Sequence, residues 1–136
     1  MNLKALDDYL ERCKEYSFEW GVHDCLTFSN RAFHVMYGEG WCDDWLGRYL
    51  KNKEPIKNDQ LKEEFGFETL EEGVSSKLKK IDYVPPRGAL VTAKMSRRFL
   101  LGQAFGICTG TRAVFIGGKG LVYFPIDRIS NAWVKE

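Results

Sequence analysis

"FEWGVHDCLTF", residues 18–28, decides how this chain is read. Gly21 marks a turn, and Asp24 is an N-cap residue whose side-chain oxygen can take an unpaired N–H of a first helical turn. Cys25, Phe28, Ala32, Val35 and Met36 then recur at helical spacing until Gly38, a residue suited to a left-handed C-cap. The spacing predicts a helix opening on Cys25. A thiol there lies at the positive end of the helix dipole, which favours thiolate and lowers the pKa from about 8.5. The same residue, on the Phe28/Ala32 face, also suits the core as a small hydrophobe. One thiol specifies no reaction; a nucleophile needs a base within reach, itself held by a third group.

Two histidines are available. His34 stands nine residues after Cys25, which at 100° per residue is about 180° around the helix. It cannot reach the thiol. His23 precedes Cys25 by two residues in the approach turn. It is the candidate activator, against the alternative of an exposed turn residue. Cys25 and His23 are thus the candidate catalytic residues. The same pair with Cys13, His34 or Cys42 could in principle offer soft metal ligands, but the paired spacing of structural zinc sites is missing, so no metal is expected. "GGKG" at 117–120 has the wrong spacing for a phosphate loop and reads as a tight turn, so no cofactor is expected. Cys13 and Cys108 read as core thiols.

Length and charge bound the rest. At 136 residues the chain is expected to form one domain over 1–136, and nine Phe, six Tyr and four Trp supply its core. Twenty basic against nineteen acidic residues give a net charge of +1, which argues against a nucleic-acid partner or an anionic membrane. "KLKK" (77–80) and "SRR" (96–98) read as a solvated helix face and loop. The N-terminus lacks a signal-peptide layout and no run reaches membrane-spanning length, so synthesis and retention in the cytoplasm are expected. Four cysteines without CxxC spacing read as thiols.

Leu3, Leu6, Tyr9, Leu10 and Cys13 predict a first helix. Trp41, Trp45 and Tyr49, at i, i+4 and i+8, predict a third helical segment over 41–52, and weaker helical stretches follow near 58–65 and 68–80. That aromatic stripe reads as core packed on the sheet, or as partly exposed anchors for a protein contact, with Trp133 as a further candidate. At Pro85-Pro86 the texture changes. "GALVTA", "GQAFGICTG", "RAVFIGG" and "GLVYFP" predict four or five short strands in an antiparallel meander, with "LVYFPI" as a pairing edge. Helical residues over about 1–84 and strands over about 85–136 predict an α+β fold, N-terminal helices packed on a C-terminal antiparallel sheet.

"F-x-W-G-x-x-D-C" resembles the nucleophile motif of NlpC-type, papain-like cysteine peptidases, and "PPRGALV" and "AFGICTG" resemble that family's "R-G-D-L-V" and "H-V-G-I-Y-x-G" strands. The nearest likeness is to a small phage and prophage family of unknown function that combines W-G-x-x-D-C with a "G-x-C-x-G" strand (Gly106 to Gly110), a "G-L" strand (Gly120-Leu121) and a terminal "A-W" (Ala132-Trp133). The likeness covers 15–35 and 85–134. It implies a papain-like, NlpC-type fold and a place among phage tail proteins, in tail assembly or in the virion tail. It also shows departures. Ala104 falls at the peptidases' general-base histidine, Phe18 at an oxyanion-binding tyrosine, Leu26 at the serine after the cysteine, and Ala89 at an aspartate. Two functions follow as expectations: a catalytically degenerate, binding or structural tail-associated protein, or an active cysteine hydrolase acting on cell-wall peptide through Cys25.

Overall fold

A computed structural model describes residues 1–94 and 103–136 of the chain. The basic "SRR" stretch lies outside the described residues. Helix α1 (Leu3–Cys13) starts where the Asn2 side chain accepts the Ala5 N–H, and it buries Leu6, Tyr9, Leu10 and Cys13 on one face. Helix α2 (Cys25–Tyr37) begins at the Asp24 cap and ends at Gly38, whose φ of 83° is the left-handed C-cap its residue type favours. The two helices pack with Tyr9 against Phe28, and the Tyr9 hydroxyl donates to the Phe28 carbonyl at 2.9 Å.

The aromatic stripe is the first departure from expectation. Residues 41–52 hold one 3-10 turn (Asp43–Trp45), and then a short hairpin of β1 (Leu50–Lys51) and β2 (Glu54–Pro55). Gly47, at φ 85°, and the left-handed Asn52-Lys53 turn are incompatible with a continuing helix. Trp41, Trp45 and Tyr49 still all point inward and are buried, because turns bring them to the core as a helix would have done. Trp133 is fully buried too, so none of these rings is an exposed anchor. Trp45 meets Phe65 and Phe67 around α3 (Asn58–Phe65) and α4 (Leu70–Ser75).

The expected helical stretch over 68–80 is also shorter. After α4 the chain turns extended, and β3 (Lys79–Ile81) joins the sheet ahead of Pro85-Pro86. The strands β4 (Leu90–Ala93), β5 (Ala104–Cys108), β6 (Arg112–Gly117) and β7 (Gly120–Pro125) form an antiparallel meander, and β8 (Asn131–Val134) returns to insert between β3 and β4. The result is a six-stranded antiparallel sheet in the order β3-β8-β4-β5-β6-β7, one strand more than the sequence suggests. The α+β architecture stands: N-terminal helices pack against this C-terminal sheet. Among the described residues no helix is long and apolar enough to cross a membrane.

Alternation along the strands separates two apolar layers. Leu90, Phe105, Ile107, Val114, Ile116 and Trp133 face the helices. Val91, Ala93, Ala104, Cys108, Ala113, Phe115 and Ala132 form the other layer, closed by Phe124, Ile126 and Ile129. That second layer is thin because alanine dominates it and Phe115 is its one large buried ring. Gly106 is required there: a Cβ on it would lie 2.4 Å from the Val114 carbonyl and 2.6 Å from the Phe115 ring. Gly106→Ala is therefore expected to lower unfolding stability by about 1–3 kcal/mol through overpacking. Urea denaturation checks this, with the midpoint falling and the slope unchanged.

Candidate functional site

The "W-G-x-x-D-C" stretch folds as a clip around one carboxylate. Glu19 and His23 exchange backbone hydrogen bonds (2.8 and 3.0 Å) across a tight turn in which Gly21 takes φ 83°. That conformation aims the Gly21 N–H at Asp24 Oδ2, 2.7 Å away. Asp24 Oδ1 accepts the N–H groups of Leu26 and Thr27 at 3.0 and 2.9 Å, and the Thr27 hydroxyl accepts the Asp24 N–H in return, completing a capping box. The Tyr49 hydroxyl supplies a fourth donor to the carboxylate at 2.5 Å. Asp24 is fully buried, so all its bonding capacity is met by protein. Burial first, and then the Asp24 charge and the bond to it, drive the Tyr49 pKa up, so the phenol stays a donor. No local signal marks Tyr49 as a partner, because it lies twenty-five positions from Asp24 and its spacing shows only the stripe it shares with Trp41 and Trp45.

Cys25 stands at the first position of α2, as expected, and its environment acts against the acidity that the helix start alone favours. It is 2 % exposed, and its thiol is pushed up to about 12, first by burial and then by the adjacent Asp24 charge. The backbone N–H groups of Phe105, Cys25 and Leu26 pull the other way. The magnitudes explain which wins. A helix terminus contributes at most about 2 kcal/mol, near 1.5 pKa units, whereas full burial can move a group by up to about 3–5. The roof over this end of α2 is aromatic. Trp41 meets the Phe105 ring at 5.5 Å, tilted by 36°, and donates its indole N–H to Ser29 Oγ, which in turn donates to the Cys25 carbonyl.

The residues that could serve the thiol are placed as follows. His23 stacks face to face on Tyr16 at 4.4 Å, and its Nδ1 lies 3.3 Å from the Arg31 guanidinium. Among the described residues no hydrogen bond or ion pair joins it to Cys25. Ala104, at the position aligned with the peptidases' histidine, belongs to the alanine-rich layer on the far side of the sheet. Its neighbour Phe105 is the one that packs in the layer containing Cys25. Leu26 and Ala89 are buried, and half-buried Phe18 packs edge-on against Trp20. Thr92, paired in register with Phe105, is fully buried, and its hydroxyl has no hydrogen-bond partner among the described residues.

His34 sits on the other side of α2 and makes a different cluster. Its Nε2 lies 2.7 Å from Asp43 Oδ1, which also accepts from the Asn30 amide at 2.7 Å. Asn30 Oδ1 accepts the Cys42 N–H at 2.8 Å, so this buried amide ties the 38–43 loop to α2. Neither spacing nor residue type distinguishes Asn30 and Asp43 from ordinary surface positions in the sequence. Cys42 is fully buried and its thiol is raised, chiefly by burial. Cys13 and Cys108 are buried, on α1 and β5, as their apolar surroundings suggested. Among the described residues no three His, Cys, Asp or Glu side chains are grouped so as to hold a metal ion.

A domain family of unknown function (DUF6950) matches residues 3–134, and the chain belongs to that family. No curated protein matches the chain. The match runs through the middle of the chain, which carries Trp41, Trp45 and Tyr49, as well as through both ends.

Two predictions follow from these clusters. Tyr49→Phe removes one of four donors from a buried carboxylate and is expected to cost about 1–3 kcal/mol. Asp24→Ala strands all of those donors and is expected to cost about 3 kcal/mol or more, so chemical denaturation should rank the two variants in that order. Asp43 is held below the usual carboxylate range by the bonds from Asn30 and His34. Its folded pKa is depressed, so its contribution is present above the unfolded value of about 3.9 and is lost as pH falls through the lower folded one. Because the side chain is 55 % exposed, that contribution is only about 0.2–1 kcal/mol. Asp43→Asn should flatten this part of the acid limb of stability against pH.

Proposed function

We propose that the chain is a catalytically degenerate domain of NlpC-type, papain-like ancestry that works by binding, as a phage or prophage tail-assembly or structural component. The observation that carries the degenerate reading is the state of Cys25. Cys25 is 2 % exposed, and burial followed by the adjacent Asp24 charge pushes its thiol up and away from the thiolate, which is the nucleophilic form. The sheet residue beside it is Phe105, and His23 is engaged by Tyr16 and Arg31. The tail setting rests on the motif resemblance alone: W-G-x-x-D-C, the Gly106–Gly110 strand, Gly120-Leu121 and Ala132-Trp133 in one order. Other tail proteins are the partners this reading implies.

One observation favours the second reading, a cysteine hydrolase acting on cell-wall peptide. Cys25 opens a helix with the N–H groups of Phe105 and Leu26 directed at its sulfur, an arrangement that suits a thiolate once the cover over it moves. Iodoacetamide labelling against pH, resolved by cysteine with mass spectrometry, separates the two. A binding protein is expected to label slowly at Cys25 up to about pH 10 and to leave peptidoglycan fragments intact. Fast labelling with an apparent pKa below about 8.5, together with fragment hydrolysis that Cys25→Ala abolishes, would overturn that reading in favour of the hydrolase.

A further inference from the structure

The two edges of the six-stranded sheet are guarded differently. At one end β3 has three residues, two of them the exposed Lys79 and Lys80. At the other end β7 has six residues, Gly120-Leu-Val-Tyr-Phe-Pro125, with no charge among them. Short, lysine-bearing edges resist pairing with another chain, whereas longer uncharged ones template it. Among the described residues β7 pairs with β6 alone, and no backbone hydrogen bond from another segment ends on Leu121–Phe124. The Gly117↔Gly120 pair closes a two-residue turn, so Gly120, Val122 and Phe124 direct their backbone groups at β6. The N–H and C=O groups of Leu121 and Tyr123 therefore point outward.

We infer that β7 pairs with β7 of a second copy of this chain across a two-fold axis, joining two six-stranded sheets edge to edge. Such an interface is self-complementary, as a two-fold contact must be. Centred on Val122, it sets Leu121 of each copy opposite Tyr123 of the other, and these exchange both backbone hydrogen bonds. Val122 meets itself in the non-hydrogen-bonded pair, where side chains lie closest and β-branched residues pack well. A two-residue shift toward Pro125 would set that residue opposite Leu121 and forfeit bonds, because proline has no N–H. Charge agrees with this register. Lys119, exposed at the hairpin tip, comes to the partner's 3-10 turn that carries exposed Asp127, and neither forms an ion pair within its own chain among the described residues.

Sedimentation equilibrium tests this with the whole chain. The wild type is expected at twice the chain mass, dissociating on dilution. Val122→Lys places like charges directly opposite and should raise the dissociation constant at least tenfold, about 1.4 kcal/mol, with an unchanged circular dichroism spectrum. Lys119→Glu should raise it by up to about fivefold, and Lys119→Glu with Asp127→Lys should restore it. A wild type that stays at the single-chain mass overturns the proposal, as does a folded Val122→Lys variant that associates as tightly as the wild type. Should Val122→Lys fail to fold, the charge pair decides: unchanged association in Lys119→Glu overturns the inference, and loss with restoration by the swap supports it.

Discussion

The buried Asp24 carboxylate is the constraint on which the front half of the molecule depends. A carboxylate taken wholly out of water is tolerable only if protein replaces its hydration, and here four donors from three separate places do so. Gly21 comes from the approach turn, Leu26 and Thr27 from the first turn of α2, and Tyr49 from the segment leading into the small hairpin. One side chain thereby fixes where α2 starts, how the chain enters it and where the middle of the sequence docks. The glycine and aspartate of the motif have a structural reason that is complete without catalysis. Gly21 reaches φ 83° without strain, and Asp24 is acceptor-only, so it can take four donors where an amide could not.

The same arrangement bears on the acidity of Cys25. Helix geometry and burial act on the thiol in opposite directions, and burial is the larger effect. The Asp24 charge, well placed to cap the helix, is badly placed for a thiolate one residue away. Asp24 thus stabilises the helix start while holding the thiol neutral. A nucleophile in this position would need a neighbouring cation to offset both burial and that charge. His23 is turned toward the Tyr16 ring and Arg31, and His34 toward Asp43. Neither histidine provides one.

Much of the fold was legible because its signals are local. Helix α2 announced itself through a cap at each end and apolar positions at helical spacing, and α1 through spacing alone. The strands after Pro85-Pro86 are short apolar runs cut by glycine. What escaped was set by contacts distant in sequence. Trp41, Trp45 and Tyr49 have helical spacing yet reach the core through turns, since spacing records only that three residues share a direction. β3 is a run of two lysines and an isoleucine, indistinguishable from a helix end until β8 pairs with it. The partnerships of Tyr49 with Asp24 and of Asn30 with Asp43 span twenty-five and thirteen positions, beyond the reach of any local pattern.

Position 104, which the motif resemblance sets against the peptidases' histidine, is placed by the sheet on the face turned away from the helices. A strand offers two faces, and a shift of one residue exchanges them. Ala104 aligns with the peptidases' histidine, but its side chain lies in the layer with Val91, Ala113 and Phe115, behind the sheet as seen from Cys25. The residue on the Cys25 side is Phe105, whose ring meets Trp41, and beyond it Ile107 continues the apolar face. A histidine introduced at 104 would enter a layer sized for alanine, next to Gly106, where the Phe115 ring and the Val114 carbonyl already exclude even a methyl group. A change at Phe105 would disturb the seat of Trp41, whose indole bonds Ser29 on α2. Phe105 is therefore part of the core that holds α2 to the sheet, through its contact with Trp41 and the Trp41 bond to Ser29.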